Sequence, residues 1–512
     1  MEGPDQESSR TNNEGEGRSP QQELTETGLG ESARFVRKNF PALSLISAIV
    51  LVPCFWHRQI FAADMGSHLY NAWLVQLIER DQVHGLSIAR RWNNVLFDYL
   101  LSGLAKLFSF NAVEKIAVSL VVLTFFWGVF ALVCAATRRA PWFILPCIAL
   151  GTYGYTFHMG FFNYFISLGL AFWGIAIFWR GKGWQRIIAL ALAPLILLAH
   201  PLGLVLLIGC CAYVAIAEKM RSQYQVLLVF AAAVLLFITH QYLWRHYVVE
   251  AAPRPLDVFT GADQLLLFSG RYRVPEIALV VFVILSIAVD LYRRSHDRGH
   301  FRYYAIPFCL YLIVEIAVPL LPRGVRFPQY PGTAMALLTE RLTLVSAVFG
   351  CCLLGAMRPS RWHLAGSMAI AAVFFTFVYQ DTGTINRMES QIEKLVSTLP
   401  PGQRVMGTIL PPGDSRIPIQ HILDRACIGR CFSYGNYEPG SGMFRVRAAP
   451  GNPYVLSSYT LAVSMEDGDY TVQPQDLPLY QIYQCSLTGT DLCITSLEAG
   501  QDNDEMGVHP PE

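Results

Sequence analysis

The sequence predicts an α-helical polytopic membrane protein with about eleven transmembrane helices and a small C-terminal α+β domain outside the membrane. Three observations predict it. Hydrophobic residues make up 53% of the 512 and charged residues only 15%, with a mean hydropathy of +0.35, and the apolar residues fall in long blocks. Tryptophans stand at block ends (Trp56, Trp142, Trp179, Trp184, Trp244), where amphipathic rings anchor a chain at the lipid–water boundary. Beyond about residue 380 the blocks stop and short alternating runs begin. A net charge of +1 without a basic, aromatic-interleaved stripe gives no reason to expect nucleic acid as a partner.

Residues 1–38 come first. Glu2 to Ser32 is rich in Glu, Gly, Ser, Gln and Asn and lacks the apolar side chains a core needs, so this stretch reads as a disordered cytoplasmic tail. It has no apolar run close behind a basic start, so the first span is expected to stay in the mature chain.

The membrane domain is placed at 39–380. Its spans are read at 41–56, 114–136, 142–157, 161–179, 186–199, 202–217, 225–244, 275–291, 303–320, 342–357 and 363–379. Asn94–Phe110 carries Asp98 and Lys106 and reads as an amphipathic helix on the membrane surface within the first outer loop, 57–113. Charge supports that choice. With the N-terminus inside, the five short inner loops hold Arg138, Arg139, Arg180, Lys182, Arg186, Lys219, Arg221, Arg293, Arg294, Arg298, Arg302, Arg358 and Arg361, the positive-inside pattern. The long segments 57–113, 245–274, 321–341 and the chain after 380 then lie on the outer face.

The outer domain, 381–500, shows a helix at Asn386–Leu399 and strand candidates at Arg404–Leu410, Tyr454–Val463, Tyr480–Cys485 and Leu492–Thr495. Residues 501–512 read as a disordered tail. Eight of the twelve cysteines lie in apolar spans, where they act as small hydrophobes. The other four, Cys427, Cys431, Cys485 and Cys493, suggest two disulfides in an oxidising compartment. The local pairing is Cys427–Cys431 and Cys485–Cys493; two other connectivities remain open.

Directly after the first span stands Phe61-Ala-Ala-Asp64-Met-Gly-Ser-His68-Leu-Tyr70-Asn71. Asp64 and His68 are four apart and share a helix face. One reading makes Asp64 a general base or a metal- or phosphate-site ligand with His68 beside it. The other makes Asp64 the cap of a helix beginning at Met65. His200, before Pro201, reads either as a group facing the same site or as a helix-end cap. His158-Met-Gly160-Phe-Phe-Asn163-Tyr164 reads as a tight structural turn. The polar and aromatic stretch Cys427–Pro439, with Tyr434, Asn436, Tyr437 and Glu438, reads as a disulfide-pinned loop packed on its own domain, or as an acceptor site if it faces the membrane cavity.

A first span followed by an outer-loop Asp64, then surface helices at Leu69–Arg80 and Asn94–Phe110, then a many-spanned body, resembles the C superfamily of glycosyltransferases (the GT-C fold) over most of residues 40–380. The resemblance implies transfer of a sugar from a polyprenyl-phosphate donor to a glycan, lipid or protein acceptor on the outer face. It also implies a catalytic or metal-associated role for Asp64, with a divalent metal ion as the candidate cofactor. The acid that often follows the family's Asp is replaced here by Met65. Such a transfer needs a base at the acceptor hydroxyl and cations at the leaving phosphate. Arg341, whose fork suits a phosphate, and Arg323 and Arg326 are the cationic candidates.

No P-loop, Rossmann fingerprint, HExxH or GxSxG occurs, which disfavours ATP-driven transport and serine or zinc hydrolysis. A non-enzymatic transporter or flippase of a lipid-linked substrate, and a membrane scaffold displaying the C-terminal domain, remain as alternatives. A bacterial cytoplasmic membrane is the expected location, and a lumen-facing enzyme of the endoplasmic reticulum would read much the same.

Overall fold

Long apolar runs can satisfy their backbone groups without water only as helices, and the computed structural model is mostly helical. It describes residues 29–251, 260–294, 301–332, 335–486 and 489–503. In chain order the first half holds α1 (Leu29–Phe55), α2 (Met65–Glu79), β1 (Leu86–Ile88), α3 (Leu96–Leu104), α4 (Phe110–Thr137), α5 (Leu145–Thr152), α6 (Tyr155–His158), α7 (Phe162–Arg180), α8 (Trp184–Ala191), α9 (Ala193–Ala199), α10 (Pro201–Ala217) and α11 (Gln225–His246). There follow β2 (Val248–Glu250), α12 (Arg273–Arg294), α13 (Phe301–Leu320), β3 (Gly324–Arg326), α14 (Leu338–Ala356) and α15 (Arg361–Ser397). The C-terminal part holds β4 (Arg404–Thr408), α16 (Ile422–Cys427), β5 (Phe432–Ser433), α17 (Glu438–Ser441), β6 (Val446–Ala448), α18 (Tyr459–Asp467), β7 (Leu479–Gln484) and β8 (Leu492–Ser496).

Among the described residues, seven helices are long and apolar enough to cross a membrane, in α1, α4, α7, α11, α12, α14 and α15. Three shorter apolar helices, Trp184–Ala199, Pro201–Ala217 and Tyr304–Leu320, bring ten of the eleven expected spans onto apolar helices. The remaining one, 142–157, is broken into a 3₁₀ turn, α5 and the four-residue α6, with Pro146 in the first turn of α5 and Gly154 extended before α6. Expected span 186–199 is likewise interrupted at Leu192, two residues before Pro194, because proline removes a helix donor and crowds the preceding turn.

The helix ends sort into two sets. At one end, Arg139 donates to the carbonyls of Gly355 and Met357, Arg180 to that of Ala135, and Arg186 pairs with Glu218. That end gathers the arginine-rich short loops. The opposite end, with the N-termini of α4, α7, α10 and α14, carries residues 57–109 and the C-terminal part.

α15 runs 37 residues without a break, so the expected boundary at 380/381 and the helix expected at Asn386–Leu399 both fall inside it. Its far end joins a four-stranded sheet ordered β5-β4-β7-β8, with β4 parallel to β5 and β7, and β8 antiparallel to β7. The strand expected over Tyr454–Val463 does not form. Ser458 accepts a hydrogen bond from the Leu461 amide and starts α18 instead, a cap that outweighs the apolar alternation. Residues 29–38, expected in the disordered tail, belong to α1; 1–28 and 504–512 lie outside the described residues.

Arg425 of α16 fastens the two parts together. Its guanidinium contacts Glu114 of α4 at 2.7 Å, Glu389 of α15 at 2.9 Å and the Ile60 carbonyl at 3.1 Å, all three side chains almost fully buried.

Candidate functional site

The turn 158–164 sets the position of Asp64. The Ala63 amide donates to the His158 carbonyl (2.7 Å) and the Asp64 amide to that of Met159 (3.3 Å). Gly160 sits at φ +81°, and a Cβ there would stand 2.7 Å from the Asp64 nitrogen. Only glycine meets both demands at once. Asp64 occupies the N-cap position of α2, yet its carboxylate makes no capping hydrogen bond. It lies deep but keeps partial exposure. Burial raises its carboxyl above the ordinary value, against the nearby charges of His421, His68 and Arg341.

His68 lies one turn on. Its Nδ1 is 2.9 Å from an Asp98 oxygen, and the other Asp98 oxygen accepts from Asn163 at 3.0 Å. Burial opposes charge on the imidazole, but Asp98 outweighs it and lifts His68 to about 9. His68 is therefore a cation at neutral pH, held in place by a carboxylate, and not a second base. Asn163 also accepts from the Phe97 amide at 2.7 Å, so the turn read as structural braces α3 and Asp98 as well.

Arg341, in the first turns of α14, lies over the Phe161 ring at 4.2 Å. One guanidinium nitrogen is 3.1 Å from His200 Nε2. His200 Nδ1 accepts from the Leu202 amide at 3.2 Å and so caps α10, the following helix. A neutral imidazole has one acceptor nitrogen. The Leu202 amide and the Arg341 guanidinium each reach one ring nitrogen of His200, so a neutral ring accepts from only one of them. Arg341 Nε has no partner, and no carboxylate among the described residues lies within ion-pair distance of it. Glu340 is engaged by Arg323 (2.8 Å) and by its neighbour Thr339. Arg326 pairs with Glu250 across β2–β3 and is more than half exposed. The structure thus brings Asp64, His68, His200 and Arg341 together, while Arg323 anchors α14 through Glu340 and Arg326 stands outside the cluster.

The C-terminal part completes the cluster. α16 packs against α2 so closely that a Cβ on Gly66 would collide with the His421 carbonyl. His421, almost fully buried, contacts Asp424 at 2.9 Å. Burial works against its charge and Asp424 overrides this, placing it at about 10. Glu438 accepts from Asn71, and burial pushes it to about 7 against the pull of His421 and His68. Glu466 is pushed to about 8, chiefly by burial. Tyr437 lies close enough to Asp64, Glu438 and Glu466 for their charges to bear on its hydroxyl. Of the two readings of this stretch, the structure favours the one that faces inward, since Tyr437 and Glu438 lie near Asp64 and α2.

Sequence reasoning missed Asp98, His421 and Glu466 as members of the cluster, and reached Glu438 only as part of a stretch that could hold an acceptor. Asp98, an acid on the amphipathic segment, was a further local signal. Among the described residues, no group of three or more His, Cys, Asp or Glu side chains is arranged to hold a metal ion. The cysteines pair locally, Cys427 with Cys431 and Cys485 with Cys493. No protein-family model, no curated protein and no solved structure matches this chain.

Proposed function

We propose that this chain is an integral membrane glycosyltransferase that moves a sugar from a polyprenyl-phosphate donor to a glycan, lipid or protein acceptor. One observation carries the reading. Asp64, whose carboxylate has no hydrogen-bond partner among the described residues, stands near Arg341, a guanidinium that contacts His200 and has no acid at ion-pair distance among them. A site of that kind suits a reaction in which a hydroxyl loses a proton while a phosphate leaves. Asp64 takes the acceptor's proton, the acceptor oxygen forms its bond to the anomeric carbon, and the sugar–phosphate bond breaks with its electron pair going to the phosphate. Arg341 and His200 meet that charge, and the His68 cation offsets the negative charge around Asp64.

In this reading the chain crosses the membrane about eleven times. The arginine-rich loops face the cytoplasm of a bacterial cell and the C-terminal part faces an oxidising outer space, a topology that the basic loops and the two cystine pairs support. A second reading, a carrier of a lipid-linked substrate, draws on the helix breaks at 152–155 and 191–193, since transporters build their sites on interrupted helices. The polar cluster at the end of the bundle, under the C-terminal part, favours the transferase.

The test is a lipid-linked glycan profile of cells carrying wild type or Asp64→Asn at matched membrane levels. The transferase reading expects loss of one glycosylated product and build-up of its polyprenyl-phosphate sugar. A folded variant with every glycan unchanged would overturn it.

A further inference from the structure

A second basic site lies where β1 of the first outer segment pairs with β6 of the C-terminal part. Arg91 and Arg447 both donate to the carbonyl of Gly442, at 3.1 and 2.6 Å, so two guanidinium groups converge on one point. Arg445, two residues before Arg447, lies over the Tyr99 ring at 4.3 Å, donates to Ser102 at 3.1 Å and directs its charge toward Asp98, away from this point. No carboxylate among the described residues pairs with Arg91 or Arg447 at ion-pair distance. Like charges held this close favour an anion between them.

The surroundings identify the kind of anion. The Val95 amide, between Arg91 and α3, donates to the Leu198 carbonyl near the end of apolar α9, where, in the topology proposed above, the helices leave the bilayer. Trp92 is 81% exposed and Leu107 77% exposed. Apolar side chains at that depth enter the acyl boundary while arginines beside them stand at headgroup level.

We infer that Arg91 and Arg447, with Trp92 beside them, form a docking site for the phosphate of an anionic phospholipid headgroup, which seats the β1–α3 segment on the outer leaflet. The inference does not depend on the sugar-transfer reading.

The full-length protein in an uncharged detergent would be dialysed against radiolabelled dihexanoyl phosphatidylglycerol, with dihexanoyl phosphatidylcholine and inorganic phosphate as competitors. Saturable binding is expected that neither competitor displaces at equal concentration. It should weaken about five-fold for each arginine replaced in R91Q and R447Q. Displacement by inorganic phosphate would make this a free-anion site, displacement by phosphatidylcholine would show that charge is not read, and unchanged binding in R91Q/R447Q would remove the arginines; each overturns the proposal. Should that double variant fail to fold, Trp92→Ala decides, because this side chain packs on little. Weaker binding of phosphatidylglycerol supports the site, and wild-type binding overturns it.

Discussion

Asp64 and Arg341 bear on one another electrostatically and yet make no ion pair. A fully paired Asp64 would be a poor base and a fully paired Arg341 a poor phosphate ligand. Each is instead held by its surroundings, Asp64 through the backbone at 158–160 and Arg341 through Phe161 and His200.

The first prediction concerns Asp64→Asn. The carboxylate makes no hydrogen bond that the change would break, so the thermal unfolding midpoint should move little. Transfer should fall by roughly 10²–10⁴-fold, the usual range for a lost general base. In wild type, the acid limb of the rate profile should lie above the ordinary aspartate value, because burial raises this carboxyl.

Arg341→Lys keeps the charge and loses the planar fork. It should raise KM for the phosphate-bearing donor about ten-fold or more, in proportion to roughly 1.4 kcal/mol of lost binding, and leave unfolding nearly unchanged. Initial rates across donor concentration would check it.

A third prediction is a pH dependence of stability. Glu438 and Glu466 titrate higher in the folded chain, at about 7 and about 8, than the ordinary 4.5. His68 and His421 also titrate higher, at about 9 and about 10 against 6.5. Every one of these shifts means that the folded state binds protons more tightly. The glutamates' contribution is therefore full below about pH 4.5 and lost as pH rises through 7 to 8, and that of the histidines is lost through 9 to 10. Glu438→Gln should flatten the first part of that fall, by on the order of 2–3 kcal/mol between pH 5 and 8. Thermal unfolding of both proteins across that range reads the difference.

Arg425 carries the fourth. Replacing it by Met leaves Glu114 and Glu389 buried without their cation, a change that costs about 3–5 kcal/mol in comparable cases. The unfolding midpoint should fall sharply. The further changes Glu114→Gln and Glu389→Gln in the same chain should recover much of the loss.

Gly66→Ala would press a methyl group into the His421 carbonyl and part α2 from α16. Activity should drop further than stability, because Asp64 and Tyr437 sit on the two sides of that contact. Comparing turnover with the unfolding midpoint tests it.

The apolar helices were legible because hydropathy is a local property of the chain, and the local pairing of the four polar cysteines was one of three that the sequence left open. The breaks at Pro146 and Pro194 were written in the sequence too, but apolar composition hid them. Asp64 and His68 stood out as neighbours on one helix face. Asp98, His421 and Glu438 did not, since they reach His68 and Asp64 from α3, α16 and α17. Only the packing of the C-terminal part on α2 brings them there, and no spacing encodes a contact across more than 350 residues such as Asn71 with Glu438.

The most direct measurement is transfer by the purified full-length protein from a polyprenyl-phosphate sugar, scored as release of polyprenyl phosphate with wild type, Asp64→Asn and Arg341→Gln. The account predicts release with wild type only, with all three proteins unfolding at similar temperatures. Equal release from the folded Asp64→Asn protein would contradict it.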